Sequence, residues 1–311
     1  MWSVSILIVL PADKLRTMGC LSAVSCAGRL CQRREGRRRS RQDAKNAKMI
    51  NVFDCFVVQT DFKPQRRKER RGFGWALRKM CMHCYQINIR HDDDSQSVQN
   101  TSFMGGFPTI PSVVTIPPCV FCASEQTFFF QLAFPELHVW HGYSLAIFHC
   151  TSCSPDDYSI PPMLQPPLKN AAIPRNFLHD YQKNFHLLVF LTNDGVIRTE
   201  YPERIRFKRW EFMVTDDSSA VLSKVGGEPA WLLEDEAPGL YADSIPMLFL
   251  FQLQEGLLFD TIPSAPPQAS PYTWPGEIPN PYYSLFNSNE LYAFGTDNRS
   301  NPLVYLFTQR D

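Results

Sequence analysis

Phe103-Met-Gly-Gly-Phe-Pro108 opens the stretch that decides the expected fold, because two Cys-x-x-Cys pairs follow it, Cys119-Val-Phe-Cys122 and Cys150-Thr-Ser-Cys153. The 27 residues between the pairs include an apolar run. Each pair presents two thiolates at a turn, and a hairpin between the pairs would bring both turns to one metal ion. The sequence therefore predicts a β-rich, zinc-ribbon-like lobe with four metal ligands: Cys119, Cys122, Cys150 and Cys153.

The expected metal is a structural zinc ion. Four thiolates close a tetrahedral coordination sphere, which leaves no position for a catalytic water. The predicted arms of the hairpin are Thr127–Leu132 and Tyr143–His149. Four reduced core cysteines or two disulfides are the alternatives. Nearby histidines are further candidate ligands, although a histidine beside aromatic strands is more often packed or at the surface; they are His138, His141 and His149.

Part of this stretch recurs 121 residues later. Gly226-Gly-Glu-Pro229 follows Gly105-Gly-Phe-Pro108 at that offset, and Phe251-Gln-Leu253 follows Phe130-Gln-Leu132. Two unbroken matches at one offset predict a mainly β fold with two pseudo-repeated antiparallel lobes. The second lobe has no cysteine, and Leu240 stands at the place of a predicted ligand. We expect that lobe to be stabilised by apolar packing alone.

The expected organisation has three parts. Residues 1–95 form a basic, largely disordered extension, residues 96–215 the first lobe with the cysteine site, and residues 216–311 the second lobe. Translation beginning at Met49 or Met80 is the alternative explanation for much of the extension. A further pair, Cys81-Met-His-Cys84, is weak evidence for metal binding, because tetrahedral zinc needs four ligands.

Two glutamines lie inside apolar strands at equivalent places in the repeat, Gln131 and Gln252. A half-buried amide must find hydrogen-bond partners, so it either ties down a neighbouring loop or faces a ligand cleft. We expect the tie, because both copies keep the residue in the same context. Farther along, the sequence predicts two strands joined by a hairpin turn: Phe185–Thr192, the turn Asn193-Asp-Gly195, and Val196–Tyr201.

The net charge of zero conceals a strong division. Residues 1–90 carry 20 Lys and Arg against 6 Asp and Glu, whereas residues 91–311 carry 11 against 25. The acidic body is expected to repel nucleic acid and to attract basic proteins. The basic arm around Arg33–Arg41 is compatible with nucleic-acid binding, but no aromatic residues interleave with its arginines as stacking platforms.

The cysteine distribution predicts a reducing compartment. All ten cysteines lie between Cys20 and Cys153, unlike the spread expected of a secreted disulfide scaffold. No apolar run approaches the roughly 18 residues that a membrane span requires. The apolar start, Ser3–Leu10, lacks the preceding basic residues of a signal peptide. We expect a soluble cytoplasmic protein without a membrane partner.

Three stretches of the second copy carry a family resemblance: Gly226-Gly-Glu-Pro-Ala-Trp231, Met247–Leu253 and Leu291-Tyr-Ala-Phe294. Together they resemble the YwqG-like family of uncharacterised bacterial proteins. The first copy, with its added cysteine pairs, is similar to the zinc-bearing repeats of the programmed cell death protein 2 family. The resemblance covers roughly residues 102–311. It implies an antiparallel β fold with internal pseudo-symmetry and, for the eukaryotic relatives, the escort of a basic ribosomal protein.

The leading functional hypothesis is a protein-binding module that holds a basic client on its acidic body. The alternative is an enzyme or a small-molecule-binding protein that uses the cleft between the lobes. No G-x-S-x-G or H-E-x-x-H motif occurs. The acidic clusters, Asp156-Asp157, Asp216-Asp217 and Glu234-Asp-Glu236, are loop carboxylates that usually point apart into water. We therefore predict no catalytic residues.

Overall fold

Strands dominate the computed structural model, which describes residues 83–90, 95–153, 164, 168–216, 220–269 and 278–310. These residues all belong to the compact unit Pro64–Asp311; the other unit, Met1–Lys63, lies outside them, as do the predicted basic arm and Cys81. The strands are β1 (Cys84–Ile89), β2 (Phe103–Met104), β3 (Thr109–Ile110), β4 (Thr127–Ala133), β5 (Tyr143–His149), β6 (Ala172–Ile173), β7 (Phe185–Leu191), β8 (Val196–Ile197), β9 (Lys208–Thr215), β10 (Lys224–Gly226), β11 (Leu240–Tyr241), β12 (Ile245–Leu253), β13 (Leu258–Asp260), β14 (Tyr282–Ser284), β15 (Glu290–Thr296) and β16 (Val304–Gln309).

Helical structure is minor in the described part of the chain. The α-helix α1 (Phe177–Asp180) is one turn long, and two 3-10 turns cover Thr192–Asp194 and Phe286–Ser288. This composition confirms the predicted mainly β fold.

One twelve-stranded sheet runs through both halves of the sequence. Its main path is β16-β15-β12-β10-β1-β9-β2-β4-β5-β7, and β11 and β6 attach to it beside β12. Read from its two ends, this order is symmetric: β16, β15, β12, β10 and β1 correspond to β7, β5, β4, β2 and β9. The central pair β1 and β9 is antiparallel. The sheet therefore consists of two antiparallel repeats that meet at β1 and β9.

The pairing register shows the repeat at the level of single residues, because equivalent residues in the two halves have equivalent partners. Phe103 of β2 pairs with Gln131 of β4, and Lys224 of β10 pairs with Gln252 of β12. Both partners shift by 121 residues, the offset seen in the sequence. The strands β4 and β12 also have a register irregularity at the same place. The two halves thus adopt the same local geometry.

The first strand of each repeat is exchanged between the halves. β1 pairs with β9 and β10 of the second repeat, while β9 also pairs with β2 of the first. The structure differs here from the predicted boundaries at 95 and 215, because β1 falls within the predicted extension and β9 within the predicted first lobe. A strand can be recognised from its local sequence, but its partners more than 100 residues away cannot.

A single large core joins the two repeats. Phe129 of β4 packs edge-on against Phe259 of β13, and Phe130 packs against Phe251 of β12. Trp140, in the turn between β4 and β5, donates its indole N–H to the carbonyl of Thr296 at the end of β15. These buried contacts fill much of the space between the lobes with apolar side chains. Burial of this kind is the main favourable contribution to folding.

The glycine pairs are required by close backbone approach. Gly105 and Gly226 have φ of +63° and +71°, and a Cβ on either would collide with a backbone carbonyl. The carbonyl belongs to Arg206 for Gly105 and to His83 for Gly226. Both positions therefore exclude any residue with a side chain.

Both glutamines tie down loops, as predicted. Gln131 accepts a hydrogen bond from Thr109 N (3.2 Å) and donates to Thr101 O (3.3 Å). Gln252 accepts from Ala230 N (2.8 Å) and donates to Ala230 O (2.7 Å). Thr109 and Ala230 are again 121 residues apart. The amides hold the loop after each glycine pair against the sheet.

The predicted hairpin at Asn193-Asp-Gly195 is wrong. Thr192–Asp194 forms a 3-10 turn, and Gly195 has φ of −70°, so it does not adopt the positive φ of a hairpin turn. The next strand, β8, pairs with β3 rather than returning along β7. Thr192 N donates to the Gly142 carbonyl, which continues the β5–β7 register by one residue before the chain leaves β7.

Candidate metal centre

The four predicted ligands converge at the open end of one hairpin. β4 and β5 pair from Thr127 opposite His149, so the cysteine pair before β4 and the pair after β5 meet. The Sγ–Sγ distances are 3.3 Å from Cys119 to Cys153 and 3.5 Å from Cys122 to Cys150. All four Sγ atoms lie within 4.8 Å of one another. Sequence spacing alone identified this site.

Backbone hydrogen bonds fix the first cysteine turn. Cys119 N donates to Ser124 O (2.9 Å), and Ala123 N donates to Cys119 O (2.8 Å). Ala123 has φ of 59°, in the left-handed region that closes such a turn. Both turns then attach to the segment before β7, because Val120 N donates to Lys183 O and Cys150 N to Asn184 O. The backbone therefore positions the thiols before any metal contributes.

The sulfur geometry fits a shared metal ion. The four cysteines are free, and four of their six Sγ–Sγ distances are 3.3 to 3.5 Å, far longer than a disulfide of about 2.05 Å. Zinc–sulfur bonds of about 2.3 Å place tetrahedral sulfurs about 3.8 Å apart. Among the described residues, this is the group of Cys, His, Asp and Glu side chains that could hold a metal ion.

Four thiols this close cannot all ionise without a cation. Burial and hydrogen bonding to neighbouring thiols raise the pKa of Cys153, and burial raises the pKa of Cys150 to about 11. Burial also raises the pKa of Cys122, but hydrogen bonds to Ser124 and the other thiols lower it more, to about 6. A divalent cation would offset the repulsion between the remaining thiolates.

A cationic side chain supports the two turns from behind. Arg204 donates from Nη1 to Thr127 Oγ1 (2.8 Å) and Thr151 Oγ1 (3.5 Å), and its Nη2 lies 3.7 Å from Glu125. The two threonine hydroxyls are themselves 2.8 Å apart. Thr151 follows Cys150 directly. Arg204 therefore connects the segment before β9 to the loop that carries Cys150 and Cys153. Sequence spacing offered no signal for this arginine.

The nearby histidines do not join the sulfur group. His149 is buried, and its Nε2 lies 3.4 Å from Asn184 Nδ2. His138 is buried too, and its Nδ1 accepts from Trp140 N (3.0 Å). Burial lowers the pKa of His149 to about 4 and that of His138 to about 3, so both rings are neutral near pH 7. His141 lies in the exposed turn before β5.

A second polar feature lies on the other repeat, in the loop 228–236, called here the acidic loop. Tyr292 OH accepts from Leu232 N (2.9 Å) and donates to Ala230 O (3.0 Å). Gln309 accepts from Leu233 N (3.0 Å) and donates to Glu234 O (2.8 Å). With Gln252, three side chains from neighbouring strands thus fix this loop's backbone. The sequence marked only its carboxylates.

The acidic loop presents an aromatic face and carboxylates together. Half-buried Trp231 stacks on Tyr292 at 4.8 Å between ring centroids. Leu233 is 53% exposed, and Glu234 is exposed beside it. Burial and the neighbouring charge of Glu234 raise the pKa of Glu236, although a hydrogen bond with Gln309 lowers it. Exposed Glu234 places negative charge beside this aromatic face, whereas Asp235 of the same loop is paired with Lys169 at 3.0 Å.

Some other acidic groups form ordinary ion pairs, as Asp235 does within the acidic loop, and others lie outside the described residues. Glu211 is 2.9 Å from Arg209 and 3.6 Å from Arg90, and Asp235 is 3.0 Å from Lys169. Asp156-Asp157 and Asp217 fall outside the part of the chain that the structure describes.

In the described ranges, no helix combines the length and the apolar composition needed to cross a bilayer. Comparison of the chain with family models, with curated proteins and with solved structures gave no match.

Proposed function

We propose that this chain is a cytoplasmic protein-binding module, stabilised by a structural zinc ion, that holds a basic segment of a client protein. Kinship with the YwqG-like family and with the programmed cell death protein 2 repeats is part of this proposal. The repeated antiparallel sheet and its single cysteine site support it.

Zinc is the metal that the ligand set favours. Four thiolates in a tetrahedral arrangement suit zinc, while harder ions such as magnesium prefer oxygen ligands. Because the protein would supply all four ligands, the ion would be structural. It would fasten the turn before β4 to the turn after β5, and backbone hydrogen bonds attach both turns to the segment before β7. The four cysteines of the site form no disulfide, which also supports a reducing compartment.

The acidic loop carries the client-binding proposal. Trp231 offers a flat ring to a cationic side chain, and carboxylates lie on either side of it in sequence, at Glu228 and Glu234. Tryptophan is a common anchor in protein interfaces. The loop backbone is held by three side chains, so little conformational entropy is lost on binding. The net charge of residues 91–311 would steer a basic client toward it.

Strand addition at the sheet edges is less favoured than the loop. On β16, Tyr181 OH accepts from Leu306 N (3.1 Å) and donates to Val304 O (3.2 Å). On β7, Leu187 N donates to Gln182 Oε1 (2.7 Å). Side chains of consecutive residues thus occupy backbone groups on both edge strands, where a client strand would have to pair.

Affinity capture tests the proposed function. The full chain serves as bait in a native lysate, and bound proteins are eluted with increasing salt and identified by mass spectrometry. We expect a basic partner in stoichiometric amount that elutes at moderate salt, because an exposed charged interface is screened. Capture of nothing basic by folded, metal-loaded bait would refute the proposal.

A further inference from the structure

A cavity of about 280 Å³ lies beside the central strands, apart from the cysteine site and the acidic loop. Its walls include Ile87 and Ile89 of β1, Trp210 of β9 and Leu253 of β12. The loop 220–223 and Leu257 complete the apolar part of the lining. The cavity is thus at the place where the two repeats meet.

The repeat explains why there is space at this place. Ile87 N donates to Ser223 O (2.9 Å), and Trp210 N donates to Ser102 O (3.0 Å). Since Ser102 and Ser223 are 121 residues apart, Ile87 and Trp210 occupy equivalent positions in the two repeats. On the side of β2 and β4, this position is the indole of Trp210, packed at 4.9 Å between ring centroids on Phe130. On the side of β10 and β12, it is Ile87.

The neighbouring position repeats the same difference. Ile87 pairs with Phe212, and Ile89 pairs with Trp210, across β1 and β9. The symmetry that exchanges Ile87 with Trp210 therefore exchanges Ile89 with Phe212. Ile87 and Ile89, on the side of β10 and β12, thus stand at the positions where Trp210 and Phe212 place aromatic rings on the side of β2 and β4. The cavity lies beside these smaller side chains.

The lining selects the charge of an occupant. The polar residues that line the cavity are Gln86, Ser223 and Gln254, and all are neutral. No Asp, Glu, Lys, Arg or His is among the lining residues. A charged group placed here would lose hydration without an ionic partner. The volume is at the low end of small-molecule sites, which suits one ring system with a few substituents.

We propose that this cavity binds a small neutral molecule containing one aromatic ring system, seated against Trp210 beside the smaller side chains of Ile87 and Ile89. This site is separate from the proposed client surface, so it stands or falls independently of it. Offset stacking on Trp210 would add to the gain from apolar burial.

The test uses the full chain and the neutral probe indole, with indole-3-acetate and tryptamine as charged counterparts. Isothermal calorimetry and thermal unfolding are measured for each. Indole is expected to bind one site and to raise the unfolding temperature with concentration. The charged probes are expected to bind on the order of tenfold more weakly or worse, because burying their charge is unfavourable. A folded chain that does not bind indole would overturn the proposal.

Two filling variants locate the site. Ile89→Phe copies the residue at the equivalent position, and Leu222→Trp narrows the cavity from a side chain that is 48% exposed. Both should abolish indole binding or weaken it at least about tenfold while the chain stays folded. Met213→Gln, on an exposed residue of β9, is the matched control and should bind like the parent. Should Ile89→Phe fail to fold, Leu222→Trp alone decides. Unchanged indole affinity in a folded filling variant would place binding elsewhere and contradict the proposal.

Discussion

The side-chain amide of Gln252 hydrogen bonds to both backbone groups of Ala230, at 2.8 Å to its N–H and 2.7 Å to its carbonyl. The same amide donates to Glu290, which is 3% exposed. One buried side chain therefore connects the acidic loop to the sheet and to a buried carboxylate.

Removing this amide should be costly. Gln252→Leu would remove the acceptor of the Ala230 N–H and a donor to Glu290, whereas the Ala230 carbonyl would keep the Tyr292 hydroxyl. We expect a loss of about 3 to 5 kcal/mol in the free energy of unfolding by urea. Gln131→Leu removes longer bonds of 3.2 and 3.3 Å and should cost less. The control Gln254→Leu changes an exposed residue and should cost about 0.5 kcal/mol or less. Equal effects at 252 and 254 would show that the tie is not stabilising.

Deleting β1 should destroy the fold. A chain that starts at Gln96, just past the boundary predicted from sequence, would leave the facing edges of β9 and β10 unpaired. We expect it to aggregate or to lack a cooperative thermal transition. A chain that starts at Pro64 keeps β1 and should unfold cooperatively. Cooperative unfolding of both proteins at one temperature would mean that β1 is dispensable.

The metal site should contribute several kcal/mol. Cys122→Ser removes one of four ligands and is expected to lose the bound metal and to lower the unfolding temperature strongly, because structural zinc contributes on the order of 10 kcal/mol in small zinc domains. Metal content is measured by mass spectrometry on the intact protein. Cys84→Ala, at a buried cysteine of β1, is the control and should retain the metal. A parent without metal that is as stable as Cys122→Ser would rule out the site.

Acid should destabilise the protein through its buried histidines. Burial lowers the pKa of His138 to about 3 from 6.5. Between pH 6.5 and pH 3 the unfolded chain binds a proton at this residue that the folded chain does not. The contribution of His138 to the free energy of unfolding is therefore fully present above pH 6.5 and decreases as the pH falls below it. By pH 4 the loss from this residue is about 3 kcal/mol. His138→Asn keeps an acceptor for Trp140 N and should flatten the slope. An unchanged slope between pH 6.5 and 4 would contradict a buried neutral ring.

The cysteine site and the repeat could be predicted from sequence because each depends on short motifs at a fixed spacing: the Cys-x-x-Cys pairs for the site, and motifs 121 residues apart for the repeat. The two Cys-x-x-Cys pairs come together if the residues between them form a hairpin, and β4 and β5 form that hairpin. The offset of 121 residues held because the glycine pairs and the glutamine ties are needed at both places.

The features that escaped prediction depend on long-range pairing. Nothing in Cys84–Ile89 indicates that it will lie between β9 and β10. The turn at Gly195 contains a hairpin motif, but the strand that follows it pairs with β3 and not with β7. The contacts of Arg204 and the packing around Trp231 likewise join residues that are distant in sequence.

The most direct test of client binding is the affinity of the captured basic partner for the full chain at low and at high salt, measured for three proteins. The parent should bind tightly at low salt and weaken as salt rises. Glu234→Lys places the opposite charge beside Trp231 and should weaken binding at least about tenfold. Glu136→Lys makes the same change on an exposed residue of the first repeat and should bind like the parent. An affinity that does not change with salt concentration, or an equal loss of affinity in both variants, would contradict the proposal that the acidic loop is the binding surface.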